Sequence, residues 1–246
     1  MKAIPHFEEP QLYTEIVPKD SPFVELKDGE FFDVKMKYPV IGMMNSVNEC
    51  YVRKEVFEML LEAQKNLPVG YKLRIWDAWR PFALQQELYD SYAKILIKDL
   101  KIEDKPFDEQ KQIVSKYVSI PVNDTMLPPL HTTGGALDVT LVDEEGRELE
   151  MGTEFDEFSP KTATDYYEHT MENNEVRNNR RILYNAMIKA GFTNLPSEWW
   201  HYEYGNRVWA YYSNKPAIYK GVFTLDEIYK INGKQNYRKI LRDMLY

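Results

Sequence analysis

The 246-residue chain carries 31 Lys and Arg against 39 Asp and Glu, a formal charge of −8, with 43% hydrophobic and 14% aromatic residues. That acidity argues against nucleic acid or an anionic membrane as a main partner, and no block of Lys and Arg with interleaved aromatics offsets it. The apolar content is enough to bury a sizeable core and too rich in aromatics for a disordered chain. A lone cysteine, Cys50, cannot form an internal disulfide, so folding does not depend on an oxidising compartment. No run approaches the roughly 20 apolar residues that a membrane span needs. The first ten residues lack the apolar stretch of a signal peptide. The expectation is a soluble, cytoplasmic protein, although a trimmed precursor would leave the same sequence.

In chain order, residues 1–30 show no clear period and read as an extended N-terminal arm. Phe32 to Tyr38 alternates and reads as a strand stopped by Pro39. From Arg53 to Leu67 the apolar positions Val56, Phe57, Leu60, Leu61 and Ala63 share a helical face, and Pro68-Val69-Gly70 ends it. Tyr71 to Ile75 alternates as a strand, and Pro81 opens a helix over about 82–98. A further helix is expected near 107–118, then a loop, then the strand Ala136–Val142. Glu175 to Ala190 reads as a helix closed by Gly191, Trp199–Tyr204 as a strand, and 224–246 as a helical, peripheral tail. Trp209, Tyr211 and Tyr212 are expected to pack against that tail, with an interface to a second molecule as the other reading. No repeat or linker marks a boundary, so residues 1–246 read as one domain with its core at about 30–210, an N-terminal arm at 1–30 and a C-terminal helical tail at 211–246.

Two stretches carry the chemistry: Pro-Pro-Leu-His-Thr-Thr-Gly-Gly-Ala-Leu-Asp at 128–138 and Ser-Glu-Trp-Trp-His at 197–201. Together they offer His131, Asp138 and His201, two imidazoles and a carboxylate suited to a catalytic zinc with an open fourth position. Asp138 breaks an apolar strand, and a carboxylate buried there needs a cation or a full set of donors. Gly134-Gly135-Ala136 lets the backbone pass close to a ligand or to another segment. Glu198, three residues before His201, stands where a general base for water activated by the metal would be expected; a water-facing pair is the alternative. Arg80 has two readings, a surface guanidinium stacked on Trp76 or Trp79, or a rigid donor to a developing oxyanion. Asp77 would orient Arg80 or cap the next helix. His6 and His169 read as solvated.

The motifs Trp-Asp-Ala-Trp-Arg-Pro (76–81), His-Thr-Thr-Gly-Gly-Ala-Leu-Asp (131–138), Met-Gly-Thr-Glu-Phe-Asp (151–156) and Glu-Trp-Trp-His-Tyr (198–202), with Asn-Asn-Arg-Arg (178–181), occur in one order over roughly residues 30–210. In this the chain resembles the VanX-type D-alanyl-D-alanine dipeptidases, zinc D,D-peptidases grouped with D,D-carboxypeptidases and hedgehog-like domains. The resemblance implies an α+β fold, an antiparallel β-sheet with packed helices. It implies one Zn2+ held by His131, Asp138 and His201, with Glu198 as base and then acid and Arg80 on the oxyanion. It implies Tyr38 and Asp156 at the ammonium of a small D,D-dipeptide. The implied reaction is zinc-dependent hydrolysis of D-Ala-D-Ala, with a related carboxypeptidase, a cell-wall endopeptidase or a non-catalytic zinc module as alternatives. The chain departs from the pattern at Pro129, where Ser is usual, at Thr133, where Arg is common, and after Tyr38. Those departures bear on the substrate pocket and spare the metal ligands.

Overall fold

The computed structural model describes residues 1–12, 15–115 and 120–233. The chain starts with an arm, then strand β1 (Phe23–Leu26), strand β2 (Asp33–Val34) and a single helical turn, α1 (Lys37–Val40). Strand β3 (Cys50–Arg53) runs straight into helix α2 (Lys54–Asn66), followed by strand β4 (Lys72–Asp77) and helix α3 (Phe82–Asp99). Helix α4 (Phe107–Val114), strand β5 (Ala136–Val142) and helix α5 (Asn174–Lys189) follow. Strands β6 (Thr193–Asn194) and β7 (His201–Glu203) and helices α6 (Arg207–Ser213) and α7 (Leu225–Gly233) complete the described chain. The fold is α+β, as the sequence implies.

A five-stranded sheet has the order β2-β4-β5-β7-β6. Three of its pairings are antiparallel, but the edge strand β2 runs parallel to β4, a departure from the purely antiparallel sheet expected. Along β5 the alternation sends Leu137, Val139 and Leu141 into a core shared with Leu60 of α2 and with Leu183 and Met187 of α5. Helices α2 and α5 therefore cover one face of the sheet, and Asp138 projects from the other. Asn173, in a left-handed conformation, starts α5 by accepting the Val176 N–H with its side chain. The glycine expected to close that helix, Gly191, has φ +102, a value that side-chain-bearing residues rarely adopt.

Three expectations need correction. Residues 1–30 are not wholly an arm, because Phe23–Leu26 pairs antiparallel with Cys50–Arg53 in a separate two-stranded sheet. The expected strand from Phe32 to Tyr38 is only two residues long, and the chain then coils into α1. Pro39 does not end a strand; it sits in the first turn of α1, where a missing N–H costs no helical hydrogen bond. The expected packing against the tail holds for Trp209, which meets Ala217 and Lys215, but the arm shares these aromatics: Trp209 also packs with Ile16, and the Tyr212 hydroxyl donates to the Glu8 carbonyl at 2.7 Å. Of the expected helical tail at 211–246, only 211–213, the end of α6, and 225–233 are helical, 214–224 are not, and 234–246 lies outside the described residues. The end of the expected 107–118 helix falls partly on 116–119, also outside them. Among the described residues no helix is long and apolar enough to cross a membrane.

Candidate functional site

Three neighbouring strands set three side chains abreast. Asp77 on β4 pairs with Asp138 on β5, and Asp138 pairs with His201 on β7. A register shift in β4 between Ile75 and Asp77 brings Asp77 opposite Asp138. His131 arrives from the 3-10 turn Leu130–Thr133 just before β5. Gly134 closes that turn at φ +70, and a Cβ there would lie 2.3 Å from Phe23 Cε1. A Cβ on Gly135 would lie 2.3 Å from the Tyr204 carbonyl oxygen. Both glycines thus admit neighbouring chain, not a ligand, which resolves the two readings of that motif.

The donor atoms of His131, Asp138 and His201 all lie within 4.8 Å of one another, and all three residues are buried. Ring orientation is fixed from behind. His131 Nδ1 donates to the Ala78 carbonyl at 2.8 Å, and His201 Nε2 donates to Glu203 Oε1 at 2.6 Å. His131 Nε2 and His201 Nδ1 are left facing each other at 3.2 Å, with Asp138 oxygens 3.5 Å from the first and 3.0 Å from the second. Burial works against the charged His201 ring, but Glu203 and Asp138 outweigh it and hold its pKa well above the ordinary imidazole value. Burial likewise opposes the Asp138 carboxylate, yet the two imidazoles hold it well below the usual range. Such a cluster is a strong seat for positive charge. Two imidazole nitrogens and one carboxylate, with hydrogen-bonded partners behind each ring, fit a zinc ion by donor type and outer shell.

Glu198 lies in the turn preceding β7, its carboxylate 3.6 Å from His201 Nδ1 and 38% exposed. Asn194 on β6 pins that turn by donating to the carbonyls of Glu198 (3.0 Å) and His201 (2.8 Å). Burial, reinforced by the Asp138 and Asp156 carboxylates and opposed by His201, pushes the Glu198 pKa up to about 7.

Arg80 is not a surface guanidinium. It is buried, and both Nε and an Nη donate to Asp77 Oδ2 at 3.0 and 2.8 Å. The other Nη donates to Gln85 Oε1 at 2.9 Å. Its planar group lies 4.7 Å from the centre of the Tyr38 ring, not on Trp76 or Trp79. Asp77 therefore orients Arg80, while the N-cap of α3 is Pro81 without any side-chain cap. Tyr38 is buried; its hydroxyl accepts from Arg80 at 3.1 Å and donates to Asp156 at 2.8 Å. The pKa of Asp156 is raised to about 6, first by burial and then by Asp138, against the pull of Arg80. All seven candidate residues line one cleft of about 630 Å3.

Two contributors were missed in the sequence. Glu203 shares a strand face with His201, and its i,i+2 spacing within an alternating strand was the available signal. Arg180, in the Asn-Asn-Arg-Arg motif, is buried and donates to the carbonyls of Met151 (2.8 Å), Ala163 (2.7 Å) and Lys161 (2.8 Å). It thereby ties down the loop that carries Asp156, and sequence alone gave no reason to couple the two.

An α+β frame presenting two imidazoles, a carboxylate and a separate glutamate of raised pKa has the donor set that metal-dependent hydrolases use. A profile of peptidase family M15, described as D-ala-D-ala dipeptidase, matches residues 36–217, and the chain belongs to that family. A protein of Synechocystis sp. named D-alanyl-D-alanine dipeptidase is 35% identical over 160 residues, 59% of this chain and 64% of the relative. One of Escherichia coli with the same name is 30% identical over 134 residues, 54% and 55% of the two chains. One of Enterococcus faecalis is 29% identical over 170 residues, 67% and 77%. The match thus spans 64% and 55% of the lengths of the first two curated relatives.

Proposed function

We propose that this chain acts as a single zinc-dependent catalytic unit that hydrolyses D-alanyl-D-alanine to free D-alanine. The observation that carries the reading is the meeting, in one cleft, of the buried His131/Asp138/His201 set with Glu198 and Arg80. Membership of the M15 family and the names of the relatives supply the substrate class. His131 Nε2, Asp138 and His201 Nδ1 would hold the zinc, which when bound supplies Lewis acidity toward a water and a carbonyl oxygen.

Each residue then has a task set by its position. Glu198, open to the cleft and 3.6 Å from His201 Nδ1, takes a proton from the attacking water and returns it to the leaving amine. Arg80, locked by Asp77, Gln85 and Tyr38, donates to the carbonyl oxygen as negative charge builds on it. Because its hydrogen bonds are formed beforehand, it need not reorganise during the reaction. Asp156 receives the substrate's ammonium group, with Tyr38 fixing that carboxylate from behind. The substrate's carboxylate falls to Arg207, the only cationic side chain besides Arg80 among the described Lys and Arg residues lining the cleft.

Zinc-loaded protein is expected to release D-alanine from D-Ala-D-Ala and to reject N-acetyl-D-Ala-D-Ala, with chelation abolishing turnover. Glu198→Gln should keep its zinc and lose a factor of about 10²–10⁴ in kcat. Cleavage of the blocked peptide would move the protein to the carboxypeptidase alternative. Full turnover by Glu198→Gln would remove Glu198 from the mechanism.

A further inference from the structure

The two histidines outside the cleft are not simply solvated. His6, on the N-terminal arm, meets Asp165 and His169 at the short 3-10 helix Tyr166–Glu168. His6 Nδ1 lies 2.7 Å from Asp165 Oδ2, and His169 Nε2 lies 3.0 Å from the same oxygen. The two rings meet edge to face, with centroids 6.3 Å apart. Their donor atoms lie within 4.8 Å of one another, and none of the three residues lines that cleft.

We propose that His6, Asp165 and His169 form a second, surface site for a d-block dication of the zinc, copper or nickel class, which staples the N-terminal arm to the body of the protein. The donor set argues for that class, since imidazole nitrogens with one carboxylate suit these ions, whereas calcium and magnesium prefer oxygen throughout. Asp165 is the inner ligand, its side chain 13% exposed, while the His6 and His169 side chains are 71% and 63% exposed. Water can therefore complete the coordination, and the ion can enter without any rearrangement of the core.

The surroundings hold the three ligands together beforehand. The Ile4 side chain is buried in the main core, and its N–H donates to Glu168 Oε1 at 3.0 Å. Arg181 Nε donates to that same oxygen at 2.7 Å, and Asn185 donates to the Lys2 carbonyl at 3.0 Å. The arm is thus anchored on one side of His6. On the other side it meets α6, through the hydrogen bond from Tyr212 to Glu8 and the Phe7–Tyr212 ring contact at 5.6 Å. His6 arrives at Asp165 with few of its backbone freedoms left, which lowers the entropic cost of closing a site whose ligands are far apart in sequence.

The test is the zinc stoichiometry of metal-stripped full-length protein, measured calorimetrically with Zn(II) at about pH 8, where free imidazoles are neutral. Wild-type protein is expected to take up two equivalents. His6→Asn and His169→Asn should each take up one, and His131→Asn should lose the other equivalent alone. Amide exchange of residues 4–9 should slow on zinc addition in wild-type and in His131→Asn, but not in His169→Asn. One equivalent in wild-type, or a second equivalent that survives in either His6→Asn or His169→Asn, would overturn the proposal. The exposed positions of His6 and His169 keep folding out of the comparison, and the exchange readout does not depend on the activity of the cleft.

Discussion

Glu203 provides the sharpest test of how the cleft is built. Its carboxylate is fully buried, accepts the His201 Nε2 proton at 2.6 Å through Oε1, and leaves Oε2 without a hydrogen-bond partner. Arg207, whose own Nε also lacks a partner, has its pKa lowered by burial, and the Glu203 charge works against that shift. Such an arrangement fixes the tautomer of His201 so that Nδ1 faces Asp138, and raises the basicity of that nitrogen. Glu203→Gln keeps the volume and an acceptor for Nε2–H but removes the negative charge. Outer-shell carboxylates of this kind are worth about 10–100-fold in metal affinity, or roughly 1.4–2.7 kcal/mol. Glu203→Ala removes the acceptor as well, so its loss should reach or exceed the upper end of that range. The assay is competition for zinc against a chromophoric chelator, with circular dichroism checking that each variant is folded. A folded Glu203→Gln protein with wild-type affinity, or a Glu203→Ala protein that binds more tightly than Glu203→Gln, would refute the reasoning.

Other outcomes follow from contacts elsewhere. Arg180→Met should cost about 1.5–3 kcal/mol in urea unfolding, because one buried and two part-buried hydrogen bonds from a charged donor are lost together; a loss below about 1 kcal/mol would show that the 151–163 loop is held by other means. Gly135→Ala should destabilise by about 1–3 kcal/mol, since the new methyl would meet the backbone oxygen of Tyr204 rather than a side chain that can move. The same variant should weaken zinc binding in the chelator assay, because the strain falls between His131 and Asp138. Glu55 accepts from Lys19 at 2.7 Å, from Tyr219 at 2.9 Å and from Ser21. Burial opposes its charge, yet these donors hold its pKa below the ordinary glutamate value. A depressed carboxylate pKa contributes stability that is present above the unfolded value and lost as pH falls through the folded one. The gap between wild-type and Glu55→Gln in denaturant unfolding should therefore be about 1–2 kcal/mol near neutrality and shrink toward pH 3; a gap that ignores pH would contradict the assignment.

Helices α2, α3 and α5 were legible because their apolar residues recur with a helical period, and β5 because it is a short apolar run with turn signals on both sides. The pair β1 and β3 was not, since each is four residues long and their partnership is set by tertiary contact across about two dozen residues. Pro39 misled for a specific reason: a proline that ends a strand and one that sits in a helix's first turn look alike in sequence. In the cleft, residue types alone singled out His131, Asp138, Glu198 and His201. What they could not convey is geometry, such as the stacking of Arg80 on Tyr38 instead of a tryptophan. The share of the arm in covering Trp209, through Ile16 beside the tail's Ala217, was equally hidden, because no period marks an arm residue as a packing partner.

The side-by-side placement of Asp77, Asp138 and His201 has a consequence for how the protein is made. A strand slipped by one residue turns every side chain to the opposite face. With β5 misplaced in that way, Leu137 or Val139 would stand in the cleft and Asp138 would be driven among Leu60, Leu183 and Met187. Correct zippering of the sheet and competence to capture an ion are therefore the same event, and a dication present during refolding would reward only the true alignment. Zinc uptake in the cleft, followed in refolding His169→Asn chains so that the surface site does not contribute, should consequently serve as a reporter of strand registration, rising only as the last sheet contacts close.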